Sequence, residues 1–347
     1  MSFRKILLAS FLVVIAGMGV SSAKEEGVNK NGLVSLTGAG ASFPAPLYTK
    51  WFKDYHSKNT NVQVDYQSVG SGAGIKNFIN RTVDFGASDA AMTPEEIAKV
   101  KGGAQLLPMT AGSIVISYNL KGVPALKLSR EAYSGIFLGK IKKWNDPLIA
   151  KTNPGVKLPD STIHVVVRAD ASGTSYVFSK HLSSINKEFA KNPGFGTMPN
   201  WPVGTKSKGN EGVTASILTT PGSIGYLEYG YAKGQNLPMA SLENQAGKLV
   251  EPTIESAQAS LASVKLPENL VAWLPDPPGE KSYPIVTYTW ILCYRECSDP
   301  QKLEALKNVL EYGMTEGQKN SEQLGYVPLP ENVVIKLKAA LNNIRSK

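Results

Sequence analysis

One short segment of the chain brings together residue types that could bind a small oxyanion. The segment "ADASGTSYVF", residues 169–178, directly follows "HVVVR", residues 164–168. The consecutive valines predict a buried strand, and the following stretch without proline or glycine predicts a helix. The start of a helix has free backbone N–H groups and a positive dipole end, which favour an anion. The residues that could add to this site are Arg168, Asp170, Ser172, Gly173 and Thr174.

Three earlier segments repeat the order of strand, small-residue loop and helix. They are "LVSL" with "TGAGASFPAP", "VQVDYQ" with "SVGSGAG", and "VDFGASDA" with "MTPEEIAKV". Their loops contain Ser42, Ser71, and Ser88 with Asp89, in the same type of position as the first segment. The alternation predicts an α/β architecture with mostly parallel sheets, in which ligands bind at the carboxyl ends of the strands.

Two long β-rich runs stand out from this alternation. They lie near residues 105–119 and 283–295, and helices are predicted from about residue 302 to residue 344. The two runs could be the strands by which the chain enters a second lobe and returns from it. In that case the first domain is discontinuous in sequence.

The first residues indicate export. Arg4 and Lys5 precede an apolar run from Ile6 to Val20, and "SSA" at residues 21–23 suits a signal peptidase. The run is shorter than the roughly 18 residues expected of a membrane-spanning helix. No cysteine near the cleavage point could be lipidated. We therefore predict a cleaved signal peptide over residues 1–23 and a soluble protein in the periplasm.

The mature chain has a size and charge that suit a small anionic ligand. Removing residues 1–23 leaves 324 residues, which favours two domains. The formal net charge falls from +9 to +7 and is spread along the chain, so that a diffuse positive field attracts anions. The sequence has no stripe of basic and aromatic residues of the kind that binds nucleic acid, so nucleic acid is not expected as a partner.

Other site types are not supported by the motifs. "GAGASF" at residues 38–43 lacks the third glycine of a dinucleotide fingerprint, and no phosphate loop of the nucleotide triphosphatase type occurs. "GTSYV" lacks the second glycine of a nucleophile elbow, and His164 and His181 follow no Ser, acid, His order. Two cysteines and three dispersed histidines have no metal-ligand spacing. No metal or cofactor is therefore expected.

The two cysteines, Cys293 and Cys297, lie close together in "WILCYRECSDP". In an exported chain this favours a local disulfide. The alternative is two free thiols, because so short a loop closes only if the backbone bends to bring the Cα atoms within about 7 Å.

Several motifs together resemble a known family over essentially the whole mature chain. They are "LTGAGASFPAPLYTKW", "VDYQSVGSGAGIK", "VDFGASDA", "LGKIKKWND", "VVRADASGTSYVF" and "GSIGYLEY". In order and spacing they resemble the periplasmic phosphate-binding proteins of Pst-type ABC uptake systems, which are type II periplasmic binding proteins. The resemblance implies one orthophosphate in a cleft between two α/β lobes, no metal, a membrane-embedded ABC permease as partner, and a monomer.

The resemblance also implies a domain division and a ligand set. Residues 24–32 would be a linker, 33–108 with 285–347 lobe I, and 109–284 lobe II, joined by a two-strand hinge. Asp89 matches the single carboxylate, Arg168 the cation, and Asp170 the partner that holds Arg168. The matching donors are Ser42, the backbone N–H of Phe43, Ser71, Ser172, Gly173 and Thr174. Ser42 stands where many relatives have threonine, and "GSGAG" departs slightly from the common "GSSGG".

A carboxylate beside an anion has a physical explanation. An anion that loses its hydration needs many donors, and hydroxyls, N–H groups and a guanidinium supply them. Asp89 can accept a hydrogen bond from a protonated ligand such as phosphate, whereas sulfate near neutral pH has no proton. At 4 Å and an effective dielectric of 20 the repulsion from sulfate is about 4 kcal/mol. The alternative role for Asp89 is that of a helix N-cap.

Two other functions use the same residues. A secreted phosphatase could receive a phosphate ester in this anion site, although no base near Ser172 and no metal cluster is visible. A binding protein for another protonated oxyanion, such as arsenate, would use the same donors and Asp89. Our main hypothesis is a binding module without catalytic activity, which closes around orthophosphate by a hinge motion.

Overall fold

The structure is a computed structural model that describes residues 32–262 and 264–347. The predicted signal peptide, residues 1–23, and residues 24–31 of the predicted linker lie outside the described residues. Within the described part of the chain, no helix has the length and apolar character needed to cross a membrane.

Strands and helices alternate along most of the chain. The strands are β1 (Val34–Gly40), β2 (Val62–Ser68), β3 (Phe85–Ser88), β4 (Ala104–Tyr118), β5 (Lys127–Leu128), β6 (His164–Arg168), β7 (Thr205–Ser207), β8 (Ser223–Glu228), β9 (Ser241–Glu243), β10 (Leu249–Val250), β11 (Val286–Tyr294), β12 (Glu296–Cys297) and β13 (Arg345–Ser346). The helices are α1 (Ala45–Lys58), α2 (Ser71–Ile79), α3 (Pro94–Ala98), α4 (Arg130–Phe137), α5 (Pro147–Thr152), α6 (Gly173–Ile185), α7 (Lys187–Lys191), α8 (Gly209–Thr219), α9 (Tyr229–Gly234), α10 (Ile254–Leu261), α11 (Pro300–Met314), α12 (Ser321–Leu324) and α13 (Glu331–Asn342). A 3-10 helix spans Glu316–Asn320.

The main sheet has eight strands in the order β2-β1-β3-β11-β4-β8-β6-β7. Its outer strands pair in parallel, β1 with β2 and β3, and β6 with β7 and β8. The central strands β4 and β11 pair with each other and with their other neighbours in antiparallel fashion. The result is a two-lobed α/β fold of the periplasmic-binding-protein type, as the sequence predicts.

Strand β4 belongs to both halves of the sheet. Its residues 104–113 pair with β11, and its residues 114–118 pair with β8. The two long runs predicted near 105–119 and 283–295 are thus confirmed as strands. They lie side by side at the centre of the sheet, where the chain passes from one half to the other.

Local sequence explains how the elements near the site form. The apolar residues of α1 recur on one face, which is buried against the sheet; they are Leu47, Tyr48, Trp51, Phe52 and Tyr55. Strand β6 has three buried valines in succession, as expected of a strand covered on both faces. Thr93 forms a capping box at the start of α3, and Pro94 occupies the first position of this helix.

Candidate functional site

The first predicted anion-binding element forms where β6 ends and α6 begins. Ser172 is the N-cap of α6, and its hydroxyl accepts a hydrogen bond from the backbone N–H of Ser175 at 3.0 Å. Arg168, the last residue of β6, is almost fully buried and donates from Nη1 to Oγ1 of Thr174 at 3.2 Å. A guanidinium, two hydroxyls and a helix N-terminus therefore meet at one place.

Asp170 holds the arginine. Arg168 donates from Nε to Oδ1 of Asp170 at 2.9 Å and from Nη2 to Oδ2 at 2.5 Å. The backbone N–H of Gly209 donates to the same Oδ1 at 3.0 Å. Partial burial by itself would raise the pKa of Asp170, but the hydrogen bonds and charge of Arg168 outweigh it, and the pKa is lowered. The ionised carboxylate leaves N–H groups of the Arg168 guanidinium free to bind an anion.

Asp89 is the second acid of the site. It follows β3, is 1% exposed, and its Oδ1 accepts a hydrogen bond from the Thr289 hydroxyl at 2.8 Å. Its backbone N–H donates to Oγ of Ser71 at 3.2 Å. Burial raises its pKa to about 7, against the opposing effects of the Thr289 hydrogen bond and the Arg168 charge. Near neutral pH this carboxyl can therefore either accept a proton or donate one.

The two halves of the molecule touch around these groups. The backbone N–H of Gly72, in α2, donates to the carbonyl of Ala171 at 2.8 Å. A Cβ atom on Gly173 would lie 2.5 Å from Oγ of Ser71 and 2.6 Å from Cβ of Asp89. Only glycine permits this approach, so the start of α6 packs directly on the loops of the other lobe.

Ser42 and Phe43 enter the site from the loop between β1 and α1. Ser42 is 1% exposed, and its Oγ accepts hydrogen bonds from Asn210. The Phe43 side chain is buried against the Tyr326 ring, and the Tyr326 hydroxyl donates to the Phe43 carbonyl at 2.7 Å. These contacts hold the backbone at the predicted ligand position.

The structure thus brings together every predicted ligand residue and Asp170 in one buried cluster. Hydrogen bonds, close packing or direct chain neighbourhood connect the members from both lobes: Ser42, Phe43, Ser71, Asp89, Arg168, Asp170, Ser172, Gly173 and Thr174. Ser88, also noted in the sequence, does not join them: its hydroxyl contacts the backbone of Ala90.

Sequence reasoning missed three polar residues of this cluster. Asn210 contacts Ser42 and Thr174, and Thr289 contacts Asp89. Glu228, at the end of β8, is fully buried, and burial raises the pKa of its carboxyl well above the ordinary value. Asn210 could have been found, because "SKGN" follows a strand and begins a helix as the other loops do. Thr289 lies in mid-strand, where no local signal exists.

The predicted disulfide is not present in the structure, which contains Cys293 and Cys297 as free thiols. Strand β11 continues its regular pairing with β4 through Tyr294, so the chain does not bend directly after Cys293. The Cys297 thiol instead donates to the carbonyl of Asp299 at 3.4 Å. Burial raises the pKa of the Cys293 thiol to about 12.

No group of three or more metal-ligating side chains lies in suitable positions among residues 32–262 and 264–347. The donors of the cluster are hydroxyls, an amide and a guanidinium, which bind anions rather than cations. The arrangement can therefore desolvate and hold a small oxyanion that shares one proton with Asp89.

Comparison with known proteins agrees with this fold. Residues 22–316 match a family model described as a PBP superfamily domain. A two-lobed binding protein with a polar site between its lobes is the class of protein that the fold and the match define.

Relatives of known name define the family more narrowly than the superfamily match does. The chain is 43% identical to the phosphate-binding protein PstS of Pasteurella multocida, an alignment that covers 88% of this chain and 89% of the relative. It is 38% identical to the phosphate-binding protein PstS of Methanocaldococcus jannaschii, with 93% and 90% covered. The chain belongs to the family of PstS phosphate-binding proteins.

Solved structures share the fold. A high affinity periplasmic phosphate-binding protein (PfluDING) bound with phosphate superimposes with a TM-score of 0.74 at 21% identity, covering 88% of this chain and 93% of that one. A phosphate-binding protein from Stenotrophomonas maltophilia gives a TM-score of 0.72 at 21% identity, with the same coverage.

Proposed function

We propose that this chain is an extracytoplasmic solute-binding protein for inorganic orthophosphate. It captures the ion between its lobes and delivers it to the membrane-embedded permease subunits of an ABC phosphate transporter. It acts as a monomer in the periplasm, after removal of a signal peptide over residues 1–23. It performs no chemical reaction on the ligand.

The observation that carries the proposal is a buried set of hydrogen-bond donors beside Asp89, an acid that can share a proton with the ligand. Arg168 supplies positive charge, and its partner Asp170 holds the guanidinium in place. Asp89 belongs to the same buried cluster and has a pKa of about 7. Phosphate can supply the proton that this acid shares, and the family membership supports the same ligand.

We assign the ligand contacts as follows. Arg168 provides the guanidinium, Asp89 the hydrogen-bond acceptor for the ligand proton, and Phe43 a backbone N–H. The remaining donors are Ser42, Ser71, Ser172, Gly173 and Thr174. In this assignment the two lobes supply comparable numbers of donors, so the ligand stabilises the closed arrangement.

We assign the lobe boundaries that the sequence predicts. Lobe I consists of residues 33–108 and 285–347, and lobe II of residues 109–284. The pairing of β4 with β11 on one side and with β8 on the other supports a hinge at these two central strands. A small change of twist there would open the cleft, since few backbone segments connect the lobes.

Two alternatives have less support. A phosphatase that uses a histidine as its base is not supported, because the ring nitrogens of His181 contact the Tyr133 hydroxyl and the Pro275 carbonyl. Burial lowers the pKa of His181 to about 4, so this histidine is a neutral core residue. Arsenate has the geometry and protonation of phosphate, and the same donors would bind it.

Calorimetric titration of the phosphate-free mature protein tests the proposal. We expect tight one-to-one binding of phosphate at pH 8 and no heat from sulfate. Failure to bind phosphate, or equal binding of sulfate, would refute it. Turnover of an aryl phosphate that persists on repurification and is lost in Arg168→Ala would favour the phosphatase instead.

A further inference from the structure

We infer that Asn210 is a positioning residue, which turns the hydroxyl protons of Ser42 and Thr174 towards the bound anion. The inference rests on the proposed binding of phosphate, because an anion must receive those protons. Asn210 is the second residue of α8 and is fully buried.

The hydrogen bonds at Ser42 show how this works. Its Oγ accepts one hydrogen bond from the backbone N–H of Asn210 at 3.0 Å and a second from Nδ2 of Asn210 at 2.8 Å. A serine hydroxyl has two lone pairs and one proton. Both lone pairs are occupied, so the hydroxyl can only donate.

The Thr174 hydroxyl also accepts two hydrogen bonds and can therefore only donate its proton. Its Oγ1 accepts from Nη1 of Arg168 at 3.2 Å and from Nδ2 of Asn210 at 3.3 Å. The two protons of one amide group therefore engage two hydroxyls, one from each side of the cleft. By contrast, the Ser71 hydroxyl accepts a single backbone N–H, that of Asp89, and its orientation is less restricted.

The backbone determines which way the Asn210 amide faces. Its Oδ1 accepts a hydrogen bond from the backbone N–H of Glu228 at 3.0 Å. The reverse orientation would set the NH₂ group against this N–H and leave a buried donor without a partner, which is costly. The donors of Asn210 therefore always face Ser42 and Thr174.

Asn210 also couples donor orientation to closure of the cleft. Ser42 follows β1, whereas Asn210 and Thr174 begin α8 and α6 in the other half of the sheet. When the lobes separate, Ser42 loses both of its fixed donors and its proton is free to point elsewhere. The Ser42 hydroxyl is therefore held as a donor only in the closed arrangement.

A double-mutant cycle tests the inference by calorimetric titration with inorganic phosphate. The variants are Asn210→Ala, the pair Ser42→Ala with Thr174→Val, and all three together. A hydrogen bond to a charged group contributes about 1.5–3 kcal/mol, so we expect Asn210→Ala to weaken phosphate binding about 10-fold to 100-fold. In the background that lacks both hydroxyls, the same change should cost less than about 3-fold, because Asn210 acts through them.

Asn153→Ala is the matched control, since Asn153 is another buried asparagine, whose amide contacts Lys127 and Ile149. It should lower the unfolding temperature without changing phosphate affinity. Unchanged affinity in Asn210→Ala, equal losses in both backgrounds, or an equal loss in Asn153→Ala would overturn the role of Asn210. Such results with a phosphate-binding wild type would leave the proposed function intact, whereas a wild type that fails to bind refutes the function itself.

Discussion

The hydroxyl of Thr289 donates a 2.8 Å hydrogen bond to Oδ1 of Asp89, although 200 residues of sequence separate them. Thr289 lies in β11 next to a register irregularity between β11 and β4. The contact occupies one carboxylate oxygen from within the protein. The other oxygen, Oδ2, lies 2.7 Å from where a Cβ on Gly173 would be. Asp89 is thereby left with one oxygen directed towards the start of α6, where we propose that the anion binds.

Asp89→Asn should weaken the discrimination between phosphate and sulfate. The amide removes the negative charge that repels sulfate, and its NH₂ group can donate a hydrogen bond to a sulfate oxygen. A site that accepts a hydrogen bond from a ligand O–H rejects an analogue without that O–H by roughly 10⁴-fold. In Asp89→Asn we therefore expect the preference for phosphate over sulfate to fall by at least about 100-fold. Competitive titration of both anions measures it. Asp65→Asn, at an exposed position of β2, is the control. A variant that still excludes sulfate fully would contradict the role of Asp89.

Sulfate binding should increase as the pH falls below about 7. Burial raises the pKa of Asp89 to about 7, so the carboxyl is protonated below that pH and ionised above it. The protonated form can donate to a sulfate oxygen, whereas the ionised form repels it. Sulfate titrations at acidic and alkaline pH check this, and Asp89→Asn should remove the dependence. Equal sulfate affinity at both pH values in the wild type would contradict it.

Gly173→Ala should prevent the lobes from closing fully. Its Cβ would lie 2.6 Å from Cβ of Asp89, which cannot move without its backbone. Overpacking of this kind costs about 1–3 kcal/mol, which corresponds to phosphate affinity weaker by about 5-fold to 150-fold. Calorimetric titration measures the loss, and small-angle scattering reports whether phosphate still compacts the protein.

Gly234→Ala is the matched control for this change. Gly234 ends α9, and a Cβ there would meet no atom within 4 Å. We expect phosphate affinity and ligand-induced compaction equal to those of the wild type. If Gly173→Ala also behaves as the wild type does, close packing at Gly173 is not required for binding.

The two cysteines should differ in reactivity. Cys293 is fully buried with a pKa of about 12, whereas Cys297 is partly exposed. A thiol titration of the unreduced, native protein should therefore detect one group, and denaturation should reveal the second. A mass two hydrogens lower than that of the reduced protein would instead demonstrate the disulfide expected from the sequence.

The sequence predicts the local elements of the site well, because short-range rules govern them. Valines before Arg168 favour a strand, and Ser172 caps the helix that follows, as observed. The prediction is less accurate at β1, which extends to Gly40 into the segment predicted as a loop. There the backbone pairs with β2 and β3, and pairing partners outweigh the low strand propensity of glycine.

Contacts between distant segments could not be predicted. Thr289 lies in the middle of a strand, where its sequence context gives no sign of a role. It reaches Asp89 only because of the register of β11 beside β3 and β4. Asn210 lies in a loop of the expected type, but only packing of α8 near α6 and β1 brings its amide between two hydroxyls. The free cysteines likewise follow from the regular pairing of β11, which no spacing rule reveals.

The α/β class and the strand-end residues that could hold an anion can be predicted from the amino-acid sequence, since hydrophobic periodicity and helix-start chemistry are local. Three further features follow only from the packing of the folded chain: the loops meet in one buried cluster, Asp89 has a pKa of about 7, and Asn210 orients Ser42 and Thr174. The physical reason is that desolvation and hydrogen-bond direction depend on which segments pack together, and that packing joins residues far apart in the chain.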